Sequence, residues 1–457
     1  MKLTLKQIAE WTGGTLDPKF ENIEVDGICT DSRIAKPGQF FIPLTGANFN
    51  GHDYISMAMQ YCVATMSERK LSVELPVIYV DDALKAYGLL AKGYRDMVDA
   101  KVFGVTGSVG KTTTKEMIAC VMASKYNTAK TEGNYNNHVG LPKTILREKE
   151  DAEGMVLEMG MNHFGEMSYL TGIAKPNVAV ITNIGTSHIE FLGSREGILK
   201  AKMEILEGLQ EGGTLILNGD EPLLWALKGT LPCRTIYFGI ENYKCDVVAK
   251  EIRYYNDGVG FYADGLKENF EVYVPAPGRH TVYNALAAVV AGLISDVELS
   301  GIQEALSNFE NAGMRQKIYD AKGMTIIEDC YNAGPESMEA ALAVLGQREC
   351  TGRKIAVLGD MLELGNSSMA EHYKVGRLAA MHADMLFAFG NHAQRMVIGA
   401  ITGGMSSKRI HHCESHEQMA KQVRNIARNG DVLLFKGSRG MKMEYVLHLV
   451  LDEEQNT

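Results

Sequence analysis

A chain of 457 residues is too long for one ordinary hydrophobic core and predicts two to four domains. With 46% hydrophobic and 22% charged residues it has a globular composition, which excludes a disordered chain, and its net charge of −10 argues against broad nucleic-acid binding. An acidic protein that takes anionic ligands must gather positive charge locally, from lysine, arginine, helix N-termini and metal ions.

The eight cysteines, from Cys29 to Cys413, show no C-x-x-C pair and no His/Cys zinc spacing, and read as free thiols in a reducing compartment. The opening "MKLTLKQIAEWTGG" lacks the apolar region of a signal peptide. No stretch approaches the roughly 20 apolar residues that span a bilayer. The expectation is a cytoplasmic protein with no membrane segment and no nucleic-acid partner.

Three α/β segments follow in chain order. Residues 1–98 alternate short strand-like runs with helices, as in "LPVIYVDD" followed by "ALKAYGLLAKGYRDM". From 99 to 313, the strand candidates "KVFGVTG", "GMVLEMG", "NVAVITNIG" and "GTLILNG" recur between helical stretches, which implies a mainly parallel sheet covered on both faces. From 314 to 457 the rhythm restarts with "GMTIIEDC", "RKIAVLGD", "DMLFAFG" and "GDVLLFKG", a smaller doubly wound domain of Rossmann-like type. The terminal "DEEQNT" reads as a frayed tail, and no internal repeat is visible.

The stretch "VFGVTGSVGKTTTKEM" (102–117) has the parts of a phosphate-gripping loop. Its spacing departs from G-x-x-x-x-G-K-[ST], because Val105 stands where the first glycine belongs. Such a loop needs inward-pointing backbone N–H groups, a helix N-terminus, a lysine for the terminal phosphates and a hydroxyl for magnesium. Thr106, Gly107, Ser108, Val109 and Gly110 supply the cradle, Lys111 the charge, and Thr112 and Thr113 the hydroxyls at the start of a helix. An ordinary glycine turn is the alternative. No N-K-x-D guanine motif is present, and Glu158 in "GMVLEMG" takes the Walker-B place without a second acid. These features point to ATP, used for something other than work on nucleic acid.

"GVTGSVGKTTTK" resembles the loop of the Mur ligases and their folylpolyglutamate synthetase relatives. "KTEGNYNNHVGLP" (130–142), "GRHTVYNALAA" (278–288), "EDCYNAGPESM" (328–338) and "LGDMLELG" (358–365) extend the resemblance over nearly the whole chain. The resemblance implies three domains, ATP and Mg2+ as cofactors, and peptidoglycan synthesis. The implied reaction is ligation of D-alanyl-D-alanine to UDP-N-acetylmuramoyl-tripeptide through an acyl phosphate, by a monomer. Another Mur-type ligase, or a folylpolyglutamate synthetase-like one, is the alternative within the class. A non-ligating ATP switch is the alternative outside it.

Residue by residue, the resemblance implies magnesium ligation by Thr112, Glu158 and His188, and by Lys202 once carbamylated. On residue pattern alone Lys202 in "LKAKMEILEGL" looks like one of several solvent-facing helical lysines. Asn284 would meet the adenine, or would cap the alanine-rich helix that the sequence has it begin. Arg315 would reach the γ-phosphate and Asp329 the ribose. Ser32 and Arg33 would hold the uridine diphosphate. Asn134, Asn136 and Asn137 would line the path of the muramoyl peptide, or form a turn cluster. Tyr331, Asn332, Asp360, Lys436 and Arg439 would receive the dipeptide. The family pattern is departed from at Val109 and at Gly334, both usually asparagine.

Overall fold

The computed structural model describes residues 2–46, 48–71, 75–147, 151–311 and 313–452. The expected frayed tail lies outside them beyond Asp452. The chain packs as two compact units, one formed by residues 1–105, 125–179 and 203–214, the other by 106–124, 180–202 and 215–457.

In the first unit, Ile28–Cys29, Phe40–Phe41, Ala64–Ser67 and Val77–Tyr79 form a four-stranded parallel sheet. The helix Ala83–Met97 follows, started by the Asp82 carboxylate, which accepts from Lys85 N–H at 2.8 Å. Its inner face carries Tyr87, Leu90, Ala91 and Tyr94, all essentially closed to solvent. Arg95 is also buried, and its guanidinium donates to the carbonyls of Ala174, Val98 and Ala100 at 3.0, 2.9 and 3.2 Å. These bonds satisfy a charge that would otherwise be costly to bury. Further along, Thr128–Lys130 pairs parallel with Gly154–Glu158, which pairs parallel with Lys101–Thr106 through Val105. The latter two strands are apolar almost throughout and buried on both faces, as an interior parallel sheet requires.

In the second unit, helix Lys111–Ala123 packs on helix Arg279–Leu293. The second of these is alanine- and valine-rich and buried on nearly every side, which small side chains permit. Arg234–Gly239 pairs parallel with Val247–Tyr254, which continues through two antiparallel pairings to Val259–Gly265 and Glu268–Val274. This antiparallel extension goes beyond the parallel rhythm read from the sequence.

The C-terminal sheet runs Lys317–Ala321, Met324–Asp329, Val432–Lys436, Lys354–Gly359, Met385–Phe389, Ile410–Cys413, and is parallel except for its first strand. Apolar clusters cover both of its faces. Asp329, Lys436 and Asp360 lie at or just beyond the carboxyl ends of three adjacent strands, where open α/β sheets place their ligands. After Met324–Asp329 comes the helix Pro335–Gln347. Just past its end, Arg348 Nη1 donates to Asn256 O at 2.7 Å and Glu349 N–H to Asn256 Oδ1 at 3.3 Å. That contact seats the helix against the turn of the Val247–Gly265 hairpin.

Every strand named from the sequence in residues 99–452 forms, and all eight cysteines are free. Among the described residues no helix is long and apolar enough to cross a membrane.

Candidate active site

The loop after Lys101–Thr106 turns sharply at Gly107, with φ +149, and at Gly110, with φ +81. Neither position tolerates a side chain. A Cβ on Gly107 would lie 1.9 Å from Thr182 Oγ1, and one on Gly110 would lie 2.7 Å from Asn284 Oδ1. Helix Lys111–Ala123 starts immediately after, so its free N–H groups face the loop. Lys111 Nζ donates to Gly107 O at 2.8 Å and to Ser108 O at 3.3 Å. Thr112 is buried at the first turn of that helix.

Two residues absent from the sequence reading brace this loop. Asn183 Oδ1 accepts from Val109 N–H at 2.9 Å, and its Nδ2 returns a bond to Val109 O at 3.0 Å. Thr182 Oγ1 also donates to Val109 O, at 2.6 Å. The backbone of position 109 is therefore fixed whatever its side chain, which accounts for the tolerance of valine there. Ser108 Oγ accepts from Gly185 N–H at 2.9 Å and links the loop to the segment leading to His188.

Lys202 corrects its plain reading as a solvent-facing lysine. It is only 2% exposed on helix Arg195–Met203. Burial first, and then the neighbouring Lys111 charge, push its ammonium well below the ordinary lysine range. An uncharged amine is nucleophilic, the state that a carbamate-forming lysine needs. His188 is held below its usual pKa by burial and then by Lys111, against the pull of Glu363. Its imidazole is therefore neutral at physiological pH, as a metal ligand must be.

Asn284 is buried in the second turn of Arg279–Leu293, so it is not the cap of that helix; Gly278 holds that position. Its Oδ1 accepts from Thr114 Oγ1 at 3.1 Å. In the first unit, Glu158 is 1% exposed at its strand end, and its Oε1 accepts from Asn136 Nδ2 at 2.7 Å. Asn134 O accepts from Asn136 N–H at 2.7 Å. Asn137 Oδ1 accepts from Val139 and Gly140 N–H at 3.1 and 2.9 Å, a turn role at the start of helix Gly140–Arg147. Asn137 also lines a cleft of about 350 Å³ with Asp82, Lys85, His138 and Gly160. Arg33 is paired with Asp31 through two bonds of 2.8 and 2.7 Å beside Ser32, which holds the Asp31 carboxyl at about 2.

The C-terminal candidates fall into two groups. Lys436 Nζ donates to Asp329 Oδ2 at 2.6 Å and to Asn332 O at 2.9 Å, so these three residues are brought together. The Arg315 guanidinium stacks 3.6 Å from the centre of the Tyr331 ring. Asp360 is 1% exposed and accepts from His392 N–H, with His372 Nε2 at 3.5 Å. Arg439 is exposed and pairs with Glu444 at 2.9 Å.

Residues 105–292 match the model of the Mur ligase middle domain, and residues 314–439 that of the Mur ligase glutamate ligase domain. The chain is 40% identical over 454 residues to the UDP-N-acetylmuramoyl-tripeptide–D-alanyl-D-alanine ligase of Bacillus subtilis, covering 98% of both chains. Identity to the enzyme of the same name from Escherichia coli is 32%, again over 98% of each. Among solved structures, MurF from Acinetobacter baumannii superposes with a TM-score of 0.91 at 31% identity, covering 99% of each chain. MurF ligase from Thermotoga maritima in complex with ADP gives 0.83 at 30% identity, covering 93% of this chain and 96% of its own. The chain belongs to the Mur ligase family. It is an ATP-dependent ligase that forms amide bonds, and its three main sheets are those of the family's N-terminal, middle and C-terminal domains.

Proposed function

We propose that this protein joins D-alanyl-D-alanine to UDP-N-acetylmuramoyl-tripeptide, giving the UDP-muramoyl-pentapeptide precursor of peptidoglycan. The observation that carries this reading is likeness running end to end to ligases of that one activity. Residues 1–98 take the nucleotide sugar, 99–313 the ATP, and 314–457 the accepting dipeptide, in a cytoplasmic monomer.

The chemistry begins with a repulsion. A triphosphate must approach the tripeptide carboxylate, and like charges repel strongly where water is excluded. Lys111, the backbone N–H groups of residues 106–110 and the helix N-terminus offset the phosphate charge. The terminal phosphoryl group passes to a carboxylate oxygen, and ADP leaves. The dipeptide amine then adds to the acyl carbon, and the tetrahedral adduct expels phosphate to leave the amide.

The residues present fit a magnesium ion, since Glu158 is a carboxylate already desolvated and His188 is an uncharged imidazole. No group of three or more His, Cys, Asp or Glu among the described residues could hold a metal unaided. Magnesium takes several of its ligands from phosphate and water. Thr112, Glu158, His188 and carbamylated Lys202 are its ligands in this reading, and when bound it neutralises charge on the transferring group. Asn284 serves the adenine, Asp329 the ribose and Arg315 the γ-phosphate. Ser32 and Arg33 serve the uridine diphosphate, and Asn134, Asn136 and Asn137 the muramoyl peptide. Tyr331, Asn332, Asp360, Lys436 and Arg439 form the dipeptide end.

The test is phosphate release with ATP, Mg2+ and UDP-N-acetylmuramoyl-tripeptide, with and without D-alanyl-D-alanine, and the product followed by mass. Dipeptide-dependent phosphate with one pentapeptide per ATP is expected. Turnover with a single amino acid or a folate acceptor instead would move the protein to a neighbouring branch.

A further inference from the structure

His188 enters the site from an uncommon backbone conformation, with φ +64. The residue facing it, Glu363, is also left-handed, with φ +62. Non-glycine residues persist in that region only where their surroundings hold them there, and such positions cluster at functional sites. His188 Nδ1 is buried, and no regular hydrogen bond among the described residues satisfies it. The Glu363 carboxylate lies 2.8 Å away, out of line in this conformation.

The segment leading to His188 is fixed as firmly. Glu336 Oε1 accepts from Thr186 N–H at 2.8 Å and from Thr186 Oγ1 at 3.1 Å. A Cβ on Gly185 would stand 2.7 Å from that same carboxylate, so only glycine lets it approach. On the other side Gly185 N–H is bonded to Ser108 Oγ of the phosphate loop. One carboxylate thus grips the backbone before His188, and a second meets its ring.

Resting on the metal role of His188 in the reading above, we propose that Glu363 is the positioning residue of His188. Its carboxylate accepts a hydrogen bond from Nδ1–H and leaves the Nε2 lone pair for a divalent cation, while Glu336 sets the loop that carries the ring. A carboxylate behind a ligating imidazole fixes tautomer and orientation, and its loss weakens metal binding by about 10–100-fold. Glu363 sits in "LGDMLELG" and its side chain is 52% exposed, so replacing it leaves the core untouched.

The experiment uses the full chain with ADP. Mn2+ binding is followed by electron paramagnetic resonance, and the His188 ring nitrogens by 15N NMR without metal, in Glu363→Ala, Glu363→Gln and His188→Ala. Glu363→Ala is expected to weaken the His188-dependent Mn2+ affinity at least about tenfold and to mix the two tautomers. Glu363→Gln, whose amide oxygen still accepts that hydrogen bond, is expected to keep the Nδ1–H form and an affinity close to the parent's. Unchanged affinity and tautomer in Glu363→Ala, with affinity lost in His188→Ala, would overturn the positioning role and leave the metal assignment standing. Unchanged affinity in His188→Ala would overturn both.

Discussion

Thr114 Oγ1 donates to Asn284 Oδ1 at 3.1 Å with both residues closed to solvent, tying the helix behind the phosphate loop to the alanine-rich helix Arg279–Leu293. The same oxygen sits where a side chain on Gly110 would fall. Asn284→Ala therefore strands a buried hydroxyl and loosens the loop at once. A stability loss of about 1–3 kcal/mol is expected in urea unfolding. ADP affinity is expected to fall about tenfold by calorimetry, equivalent to about 1.4 kcal/mol.

Gly107→Ala tests the loop from the opposite side. The new Cβ would collide with Thr182 Oγ1, and the φ of +149 is one that alanine avoids. Nucleotide binding is expected to disappear in calorimetry while far-ultraviolet circular dichroism stays native. Adding Thr182→Ala removes the collision but leaves the backbone strain, so recovery should be partial.

The Lys436–Asp329 pair predicts a stability effect at the carboxyl ends of the C-terminal strands. Lys436 is 2% exposed and bonded to both Asp329 and Asn332. Removing one member of a buried pair leaves the other charge stranded, at a cost of about 3–5 kcal/mol. Lys436→Met is expected to lose an amount in that range by denaturant unfolding. Lys436→Met combined with Asp329→Asn should lose less than Lys436→Met alone.

His372 should contribute to the acid sensitivity of the fold. Its Nε2 accepts from Met361 N–H at 3.0 Å and its Nδ1 bonds Ser368 O at 2.7 Å, so the fold holds it neutral. Burial, ahead of the opposing pull of Ser368 O and Asp360, lowers its pKa. Facing it are Asp360, His392 and Glu371. Below about pH 6.5 the unfolded histidine takes a proton that the folded one resists, so stability falls as pH drops toward the folded value, at up to about 1.4 kcal/mol per pH unit. Urea midpoints at pH 7.5 and 5.5 should show a steeper acid loss in the parent protein than in His372→Gln.

The sequence carried the strands and the phosphate loop because both are local. Short apolar runs and a glycine-rich turn before Lys111 need no distant partner to be recognised. The antiparallel extension was missed although "ENFEVYV" alternates in and out as a half-buried strand should. The burial of Lys202 was hidden for a different reason. Lys200 and Lys202 look equivalent on one short helix, yet Lys200 is exposed and Lys202 is buried, and only packing separates them. Asn183, Glu336 and Glu363 were invisible because their partners lie far along the chain: Thr186 and Glu336 are 150 residues apart. No spacing rule reaches that distance.

The helix Pro335–Gln347 is gripped at both ends. Glu336 in its first turn holds Thr186, and Arg348 just beyond its last turn holds the hairpin turn at Asn256. Its 13 residues make a rod of about 20 Å. With the Arg348 end as fulcrum, a tilt of about 10° sweeps the Glu336 end through about 3.5 Å, enough to part it from Thr186. A tilt of this helix would therefore separate Glu336 from the segment that leads to His188.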